Sequence, residues 1–227
     1  MKDISAFELM DCALITLATG KQAMNLRELR DRIAEVDDSS LYYHFYENLL
    51  RPSFDDPEYR NDFALWARQG LNQPELAEKL MVLDPMGYHD LSELRQNLLD
   101  VVEDYLAEHE YVPWARFGQE FYFLTSRVVV FDTGKRFKTL EELAQLLPSL
   151  STGSIFYHFI DAQRRPPLNM DDFSAWSMQW GEATAGLRQE LAGVDYYFCT
   201  LPELRQRLIR AVMKSLAEEA SDDREIN

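Results

Sequence analysis

Little in this sequence favours a secreted or membrane-spanning protein. Its 227 residues contain only two cysteines, Cys12 and Cys199, which form no CxxC pair and predict no disulfide framework. No apolar run approaches the roughly 18 residues of a membrane span, and Asp3, Glu8 and Asp11 interrupt what would have to be a signal peptide. We therefore expect a soluble, cytoplasmic protein with no membrane partner.

Basic residues are scarce relative to acidic ones. The chain has 23 Lys and Arg against 39 Asp and Glu, a formal net charge of −16. Because affinity for a phosphate backbone depends on local positive charge, this balance argues against nucleic-acid binding. The hydrophobic share of 46% is ordinary for a globular protein, so the chain can bury a sizeable core.

Sequence motifs for catalysis or nucleotide binding are also missing. The nine glycines are scattered and form no phosphate-binding loop, and there is no GxSxG, HExxH or DxDxDG. The sequence therefore predicts no catalytic residue, no metal ligand and no cofactor.

What the sequence does contain is a long internal similarity. TGKQAMNLREL at 19–29 aligns with TGKRFKTLEEL at 133–143, and NDFALW, LSELRQNLL and the Tyr-His-Phe triplet recur in the same order. Such ordered matches predict a duplication, with a first unit at 1–110, a second at 115–220 and a polar tail at 221–227. Each unit would have an ordinary domain size.

Local signals in both units favour helices. Asn25 with Glu28 and Thr139 with Glu142 have the spacing of capping boxes. Asp62 and Asp172 are predicted as N-caps of the next aromatic helix. We expect a mainly α fold: two homologous helical units arranged as a tandem repeat, with a short strand allowed at the start of each unit.

The opening of each unit is ambiguous. FYFLTSRVVVF at 121–131 is rich in aromatic and β-branched residues, which favours a strand. Its counterpart FELMDCALITL has Phe7, Met10, Leu14 and Leu17 at helical spacing. Near the end of each unit, Leu94, Leu98, Val101 and Leu106, and then Leu204, Leu208 and Val212, predict one apolar face of a long helix.

The ordered set TG[KR], LxEL, YYH or FYH, NDFAxW and LxxLR resembles an uncharacterised bacterial and archaeal domain-of-unknown-function family. The resemblance covers residues 5–108 and 119–217, and departs from the pattern at Ala175 and Arg188. Many members carry a second histidine two places after the first, where this chain has Tyr46 and Ile160. The resemblance implies no reaction and no catalytic residues.

The recurring polar and aromatic residues are the candidate ligand contacts. A histidine beside an aspartate can act as a general base or metal ligand, but one histidine per unit falls short of the three or four ligands of a metal site. A buried, hydrogen-bonded imidazole is the alternative. The tryptophans suit a core better than a sugar platform, and the arginines can pair with Asp84 and Asp195. The candidates are Tyr43, His44, Trp66, Arg95, Tyr157, His158, Trp176 and Arg205.

Three functions remain open at this stage. The first is a non-catalytic binding or regulatory protein that engages a partner protein bearing a basic patch. The second is a small-molecule-binding protein or enzyme that uses the paired Tyr-His-Phe segments. The third is a DNA-binding regulator, since LYYHF at 41–45 resembles the recognition helix of TetR-type repressors. The acidic turn before this segment and the net charge weigh against DNA, and the oligomeric state is left open.

Overall fold

The fold contains two long β-strands that pair with each other. The computed structural model describes residues 5–50 and 59–225. Strand β1 spans Phe7–Ala23 and strand β2 spans Phe121–Phe137, and they form a two-stranded antiparallel sheet. Thr19 Oγ1 donates to Phe123 O at 2.6 Å, and Thr133 Oγ1 donates to Leu9 O at 2.6 Å, so side chains reinforce the pairing of the strands.

Helices follow each strand. After β1 come α1 (Leu26–Glu35), α2 (Asp38–Phe45), α3 (Asp62–Gln69), α4 (Pro74–Met81) and α5 (Leu91–Glu108). After β2 come α6 (Leu140–Leu146), α7 (Thr152–Ile155), α8 (Asp172–Ser177), α9 (Ala185–Ala192) and α10 (Leu201–Glu225). A π-helical turn at Phe156–Ile160 and several 3-10 turns complete the chain, among them Glu47–Leu50 and Asp161–Arg164.

The chain divides into two compact units that are not consecutive in sequence. One unit combines residues 1–13 with 129–227, and the other is residues 14–128. The second of these contains the later part of β1, helices α1–α5 and the first part of β2. Each unit therefore draws its strands from widely separated stretches of the chain.

The predicted mainly α fold with a tandem repeat is wrong. The prediction allowed only a short strand at the start of each repeat unit, whereas β1 and β2 are 17 residues long and pair with each other. The architecture is α+β, and its two compact units do not follow one another along the chain. Phe7 and Leu9 are buried while Glu8 is exposed, a period of two that the helical spacing of Phe7, Met10 and Leu14 concealed. The fold was decided by long-range pairing, which overrides local propensity in a strand.

Helix capping follows the sequence closely. Asn25 accepts from Glu28 N while Glu28 reaches back to Met24 N, and Thr139 and Glu142 repeat this exchange, so both predicted capping boxes are confirmed. The predicted caps Asp62 and Asp172 are wrong by one residue. Asn61 and Asp171 cap α3 and α8, and the two aspartates lie in the first helical turn, where each contacts a histidine.

The long helices bury the predicted faces with one local difference. Leu204, Leu208 and Val212 of α10 are all buried. In α5 the buried residues are Leu94, Leu98, Val102 and Tyr105. Val102 and Tyr105 are therefore buried in place of the predicted Val101 and Leu106. Within the described ranges, the chain contains no helix with the length and apolar character needed to span a membrane.

Candidate functional site

His44 is enclosed by a strand and two helices. Its side chain is 2% exposed. Nδ1 lies 2.7 Å from Asp62 Oδ2, and Nε2 accepts from the backbone N–H of Leu124 at 3.0 Å. Aromatic rings cover the imidazole, with the Phe121 centroid at 4.9 Å and the Phe63 centroid at 5.4 Å. The imidazole therefore connects α2, α3 and β2.

His158 has the same kinds of neighbour in the other unit. Its side chain is 3% exposed, Nδ1 lies 2.7 Å from Asp172 Oδ2, and Nε2 accepts from Met10 N at 2.9 Å. Asp172 also accepts from Arg165 Nη2 at 2.7 Å, and the Arg165 guanidinium lies over the Tyr157 ring at 4.2 Å. The Asp172 carboxylate and the Tyr157 ring therefore both contact the Arg165 guanidinium.

The helical segments that carry the histidines differ in type. His44 lies in an α-helix, whereas His158 lies in the π-helical turn that follows α7. The predicted equivalence of these two segments therefore holds for the histidine contacts but not for the helix type. Both histidines are almost completely buried.

These contacts define what the imidazoles can do. A ring nitrogen that accepts from a backbone N–H has no proton, so in each histidine the proton is assigned to Nδ1, which then donates to the aspartate. A general base needs a ring nitrogen directed at a substrate. Here Nε2 is directed at the strand backbone. Each histidine therefore joins a helix to a strand, and neither ring nitrogen is directed at a substrate.

Trp66 and Trp176 each bind the chain segment that precedes a strand. Trp66 Nε1 donates to Gln119 O at 2.7 Å, and Trp176 Nε1 donates to Ser5 O at 3.0 Å. Both side chains are largely buried, so neither offers an open platform. Four residues later, Gly70 contacts the Trp66 indole so closely that an added Cβ would clash with it, whereas Trp180 packs edge-on against Trp176.

A cleft opens beside His44 within residues 14–128. Its volume is about 300 Å³, and it is lined by His44, Asp62, Leu65, Trp66, Gln69, Gly70, Gln119, Glu120, Phe121, Tyr122 and Leu124. The described lining residues include two carboxylates and no lysine or arginine. Backbone N–H groups of Glu120 itself and of Gly118 lower the pKa of the Glu120 carboxyl, which therefore carries a negative charge at neutral pH.

The remaining predicted site residues have structural partners outside that lining. Tyr43 is fully buried, with its hydroxyl 3.3 Å from Thr16 Oγ1. Arg95 binds Ile33 O and, at 2.7 Å, Asp38 Oδ1, so the predicted pairing with Asp84 is wrong. Arg205 donates to Leu150 O at 2.6 Å in the way that Arg95 binds Ile33, and Asp195 instead accepts from Tyr197 N.

The described residues contain no group of three or more His, Cys, Asp or Glu side chains that could hold a metal ion. The histidine–aspartate pairs supply two potential ligands each, and the second nitrogen of each ring is already bonded to backbone. The residue types at these sites therefore do not fit a metal centre.

The sequence reasoning missed an exposed aromatic loop between α5 and β2. Phe117 is 99% exposed, Trp114 61% and Tyr111 57%. The loop is held in place: Ala115 N donates to Met24 O, and Arg116 N donates to Gly70 O, a cleft residue. The signal is present in EHEYVPWARFGQ at 108–119, the segment that contains the division between the two predicted units.

Comparison with known proteins supports the family but no activity. A family model described as a family of unknown function, DUF5752, matches residues 4–213. It spans the chain as one match, so it does not confirm a duplication. A solved structure, that of OrfY from Thermoproteus tenax, is 25% identical, with a TM-score of 0.76 over 93% of this chain and 95% of that chain. No curated protein matches.

Proposed function

Since this chain belongs to the family of unknown function DUF5752, which brings no activity, we propose from its own residues that it is a non-catalytic binding protein. It engages another protein through the aromatic loop, defined as residues 109–120. The observation that carries the proposal is the exposure of Tyr111, Trp114 and Phe117 within seven residues. Exposed aromatic clusters of this kind mark protein interfaces, where tyrosine and tryptophan supply much of the binding energy.

The loop has an ordered backbone, which favours binding. Backbone hydrogen bonds to Met24 O and Gly70 O tie it to the segment after β1 and to the end of α3. Gly118, with φ of +81°, forms the tight turn that leaves Phe117 uncovered. A rigid loop loses little conformational entropy on binding, so its aromatic area contributes more fully to affinity.

The partner is predicted to be basic. The formal net charge of −16 would repel an acidic protein and speed the encounter with a basic one. Nucleic acid is left out of the proposal, because the charge is unfavourable and residues 40–45 of α2, which resemble a recognition helix, are all buried. The proposal keeps the expected cytoplasmic location.

A small-molecule-binding protein is the second candidate, and the cleft beside His44 is the observation that favours it. Its volume of about 300 Å³ lies at the lower end for ligand sites. Enzymatic use of the histidines is the weaker form of this candidate, because both nitrogens of each ring are already bonded.

Site-specific photo-crosslinking tests the protein-binding proposal. A photoreactive phenylalanine analogue replaces Phe117 in the full chain, and the same analogue replaces Val82, which is 68% exposed in the same unit, as the matched control. We expect one basic protein to be crosslinked from the native extract at Phe117, not at Val82, and to be lost when Trp114→Ser is added. Equal products at both positions, or none at Phe117 in low and moderate salt, would contradict the proposal.

A further inference from the structure

We propose that two copies of this chain pair through the outer edge of strand β1, named here the β1 edge and defined as residues 14–18. The proposal goes beyond the protein-binding function and does not depend on the aromatic loop. It rests on backbone groups of the strand that have no partner and on exposed side chains that carry no charge.

Two hydroxyl bonds fix the register of β1 against β2. Thr19 Oγ1 donates to Phe123 O, and Thr133 Oγ1 donates to Leu9 O. The same number of residues lies between the two bonds on each strand, so neither strand has a net extra residue there. Successive residues of β1 therefore alternate between facing β2 with their backbone groups and facing away from it.

The residues of β1 that face away from β2 are the even-numbered ones. Met10 N donates to His158 and Met10 O accepts from Ser154, and α7 lies so close to Cys12 that a Cβ on Gly153 would clash with its backbone. These contacts cover the edge as far as residue 12. Within the part of the chain that the structure describes, the outward backbone groups at 14, 16 and 18 have no hydrogen-bond partner.

The side chains of the β1 edge are exposed and uncharged. Ile15 is 52% exposed and Leu17 40%, and no charged residue and no proline lies between Asp11 and Lys21. Natural edge strands commonly carry charged residues or proline, which prevent pairing with another chain. The β1 edge lacks both, so a second strand can extend the sheet there.

The outer edge of β2 differs from the β1 edge in its charge. Leu124 N donates to His44, so the even-numbered residues face outward on β2 as well. This edge carries Asp132, whose carboxylate binds Arg136 at 2.7 Å. A strand added to this edge would have to desolvate the charged pair. We therefore assign the pairing to β1 and not to β2.

A second copy of β1 fits the β1 edge in an antiparallel register centred on Thr16. Two-fold symmetry then places Thr16 opposite Thr16 of the second copy and Ile15 opposite Leu17, and both kinds of cross-strand pair are favourable. Unlike charges meet at the two ends, because Asp11 precedes the edge and Lys21 follows it. A parallel arrangement would instead bring like charges together.

Salt separates this proposal from the protein-binding function. The formal net charge of −16 opposes the approach of two copies, and salt screens that repulsion. We therefore expect self-association to strengthen between low and moderate salt. Binding of a basic protein should weaken over the same change, because salt also screens the attraction between unlike charges.

Sedimentation equilibrium of the full chain tests the pairing. At moderate salt the mass should rise with concentration from 26.5 kDa towards twice that value. Ala18→Pro removes an outward N–H, a place where an edge strand tolerates proline, and should give a monomer. Leu17→Lys should also give a monomer, although it lowers the net negative charge. Near-UV circular dichroism checks that both variants are folded.

Trp114→Ser alters the aromatic loop and leaves the β1 edge intact, so this chain should still dimerise as the unmodified chain does. An unmodified chain that stays monomeric at moderate salt overturns the proposal. A dimer that survives both Ala18→Pro and Leu17→Lys, or one that is lost in Trp114→Ser, also overturns it, because the contact then lies elsewhere.

Disulfide trapping tests the register. Thr16→Cys places two sulfur atoms in a directly opposed pair with a Cα separation of about 5.5 Å, within the range of a disulfide, so mild oxidation should link two chains. Val130→Cys, at a position of β2 that is 38% exposed, is the matched control and should stay unlinked. The native Cys12 and Cys199 are buried. Equal linkage of the two variants, or none for Thr16→Cys, overturns the assignment to the β1 edge.

Discussion

His44 and His158 each connect a helix to a strand through both ring nitrogens. A helix supplies the aspartate at Nδ1, and a strand supplies the backbone N–H at Nε2. Because a buried N–H without an acceptor costs free energy, an imidazole at this place satisfies a strand amide that faces side chains instead of another strand. At the residue scale, the histidines therefore stabilise the structure.

Replacing His44 with alanine should lower the free energy of unfolding by roughly 2–4 kcal/mol, because two buried hydrogen bonds are lost and a cavity is left. His158→Ala should have a similar effect. Urea denaturation measures both, and His89→Ala, with a side chain that is 93% exposed, is the control, expected within about 0.5 kcal/mol of the unmodified chain. A His44→Ala effect as small as that of the control would contradict the structural role.

The buried carboxyl of Asp171 should make the stability of the protein depend on pH. Burial raises the pKa of the Asp171 carboxyl above its ordinary value. The folded state therefore binds a proton more tightly than the unfolded state, and the contribution of this group to stability decreases as the pH rises through the folded-state pKa. Asp171→Asn keeps an acceptor for Ser174 N and should raise the melting temperature at pH 7.

The advantage of Asp171→Asn should shrink as the pH falls through the folded-state pKa towards the unfolded-state pKa, because the Asp171 carboxyl then becomes protonated and both chains are uncharged at this position. Asn61, buried at the N-cap of α3, shows that an amide can fill such a place. Thermal unfolding between about pH 3 and pH 8, which includes the unfolded-state pKa of an aspartate, measures the effect. A stability difference that stays constant across this range, or a lower melting temperature at pH 7, would count against the role of the buried charge.

At the element scale, both strands contain a glycine in a left-handed conformation. Gly20 has φ of +77° and Gly134 has φ of +72°, and each follows a threonine whose hydroxyl donates to the opposite strand. Both glycines belong to the recurring TGK motif at 19–21 and 133–135. Its physical reason is a backbone kink within the strand, at which a residue with a Cβ is strained.

Gly20→Ala should lower the free energy of unfolding by about 1 kcal/mol. No atom lies within 4 Å of the added Cβ, so the loss reflects backbone conformation alone. Gly87→Ala is the matched control, because Gly87 also has open space around it but no positive φ. Gly20→Asn should be tolerated better than Gly20→Val. Equal stabilities of the Gly20→Ala and Gly87→Ala chains would contradict the assigned strain.

At the scale of the whole molecule, the compact units depend on distant parts of the sequence. The unit formed by 14–128 needs β2 residues to cover His44, and Phe121, Phe123 and Leu124 supply rings and the backbone donor. A fragment that ends at residue 110 lacks all three. We therefore expect the boundaries of a foldable unit to follow spatial contacts and not the start of a recurring motif.

Two fragments of similar length test this dependence. Residues 14–128 should give native-like near-UV circular dichroism and a cooperative urea transition, because both strand segments of that unit are present. Residues 1–110, the unit predicted from the internal similarity, should unfold without cooperativity. A sharp transition for 1–110, or none for 14–128, would reverse this conclusion and support the boundaries predicted from the sequence.

The sequence by itself determined the features that depend on near neighbours. Both capping boxes form as predicted, because N-cap and N3 residues interact within one helical turn, and the apolar face of α10 follows from helical periodicity. The match of the family model to residues 4–213 confirms the recognised family. The recurrence of His44 and His158 is also visible in the sequence, but the sequence does not decide whether they stabilise the fold or bind a ligand.

Only the tertiary structure decided the features that depend on distant partners. Residues 7–23 form a strand because β2 and the side chains of His158 and Ser154 satisfy their extended backbone, and no local spacing encodes those bonds. The partner of Arg95 and the cleft beside His44 likewise require residues separated by dozens of positions. A strand, an ion pair and a cavity each depend on which segments meet, and that outcome is set by packing of the whole chain rather than by local sequence preference.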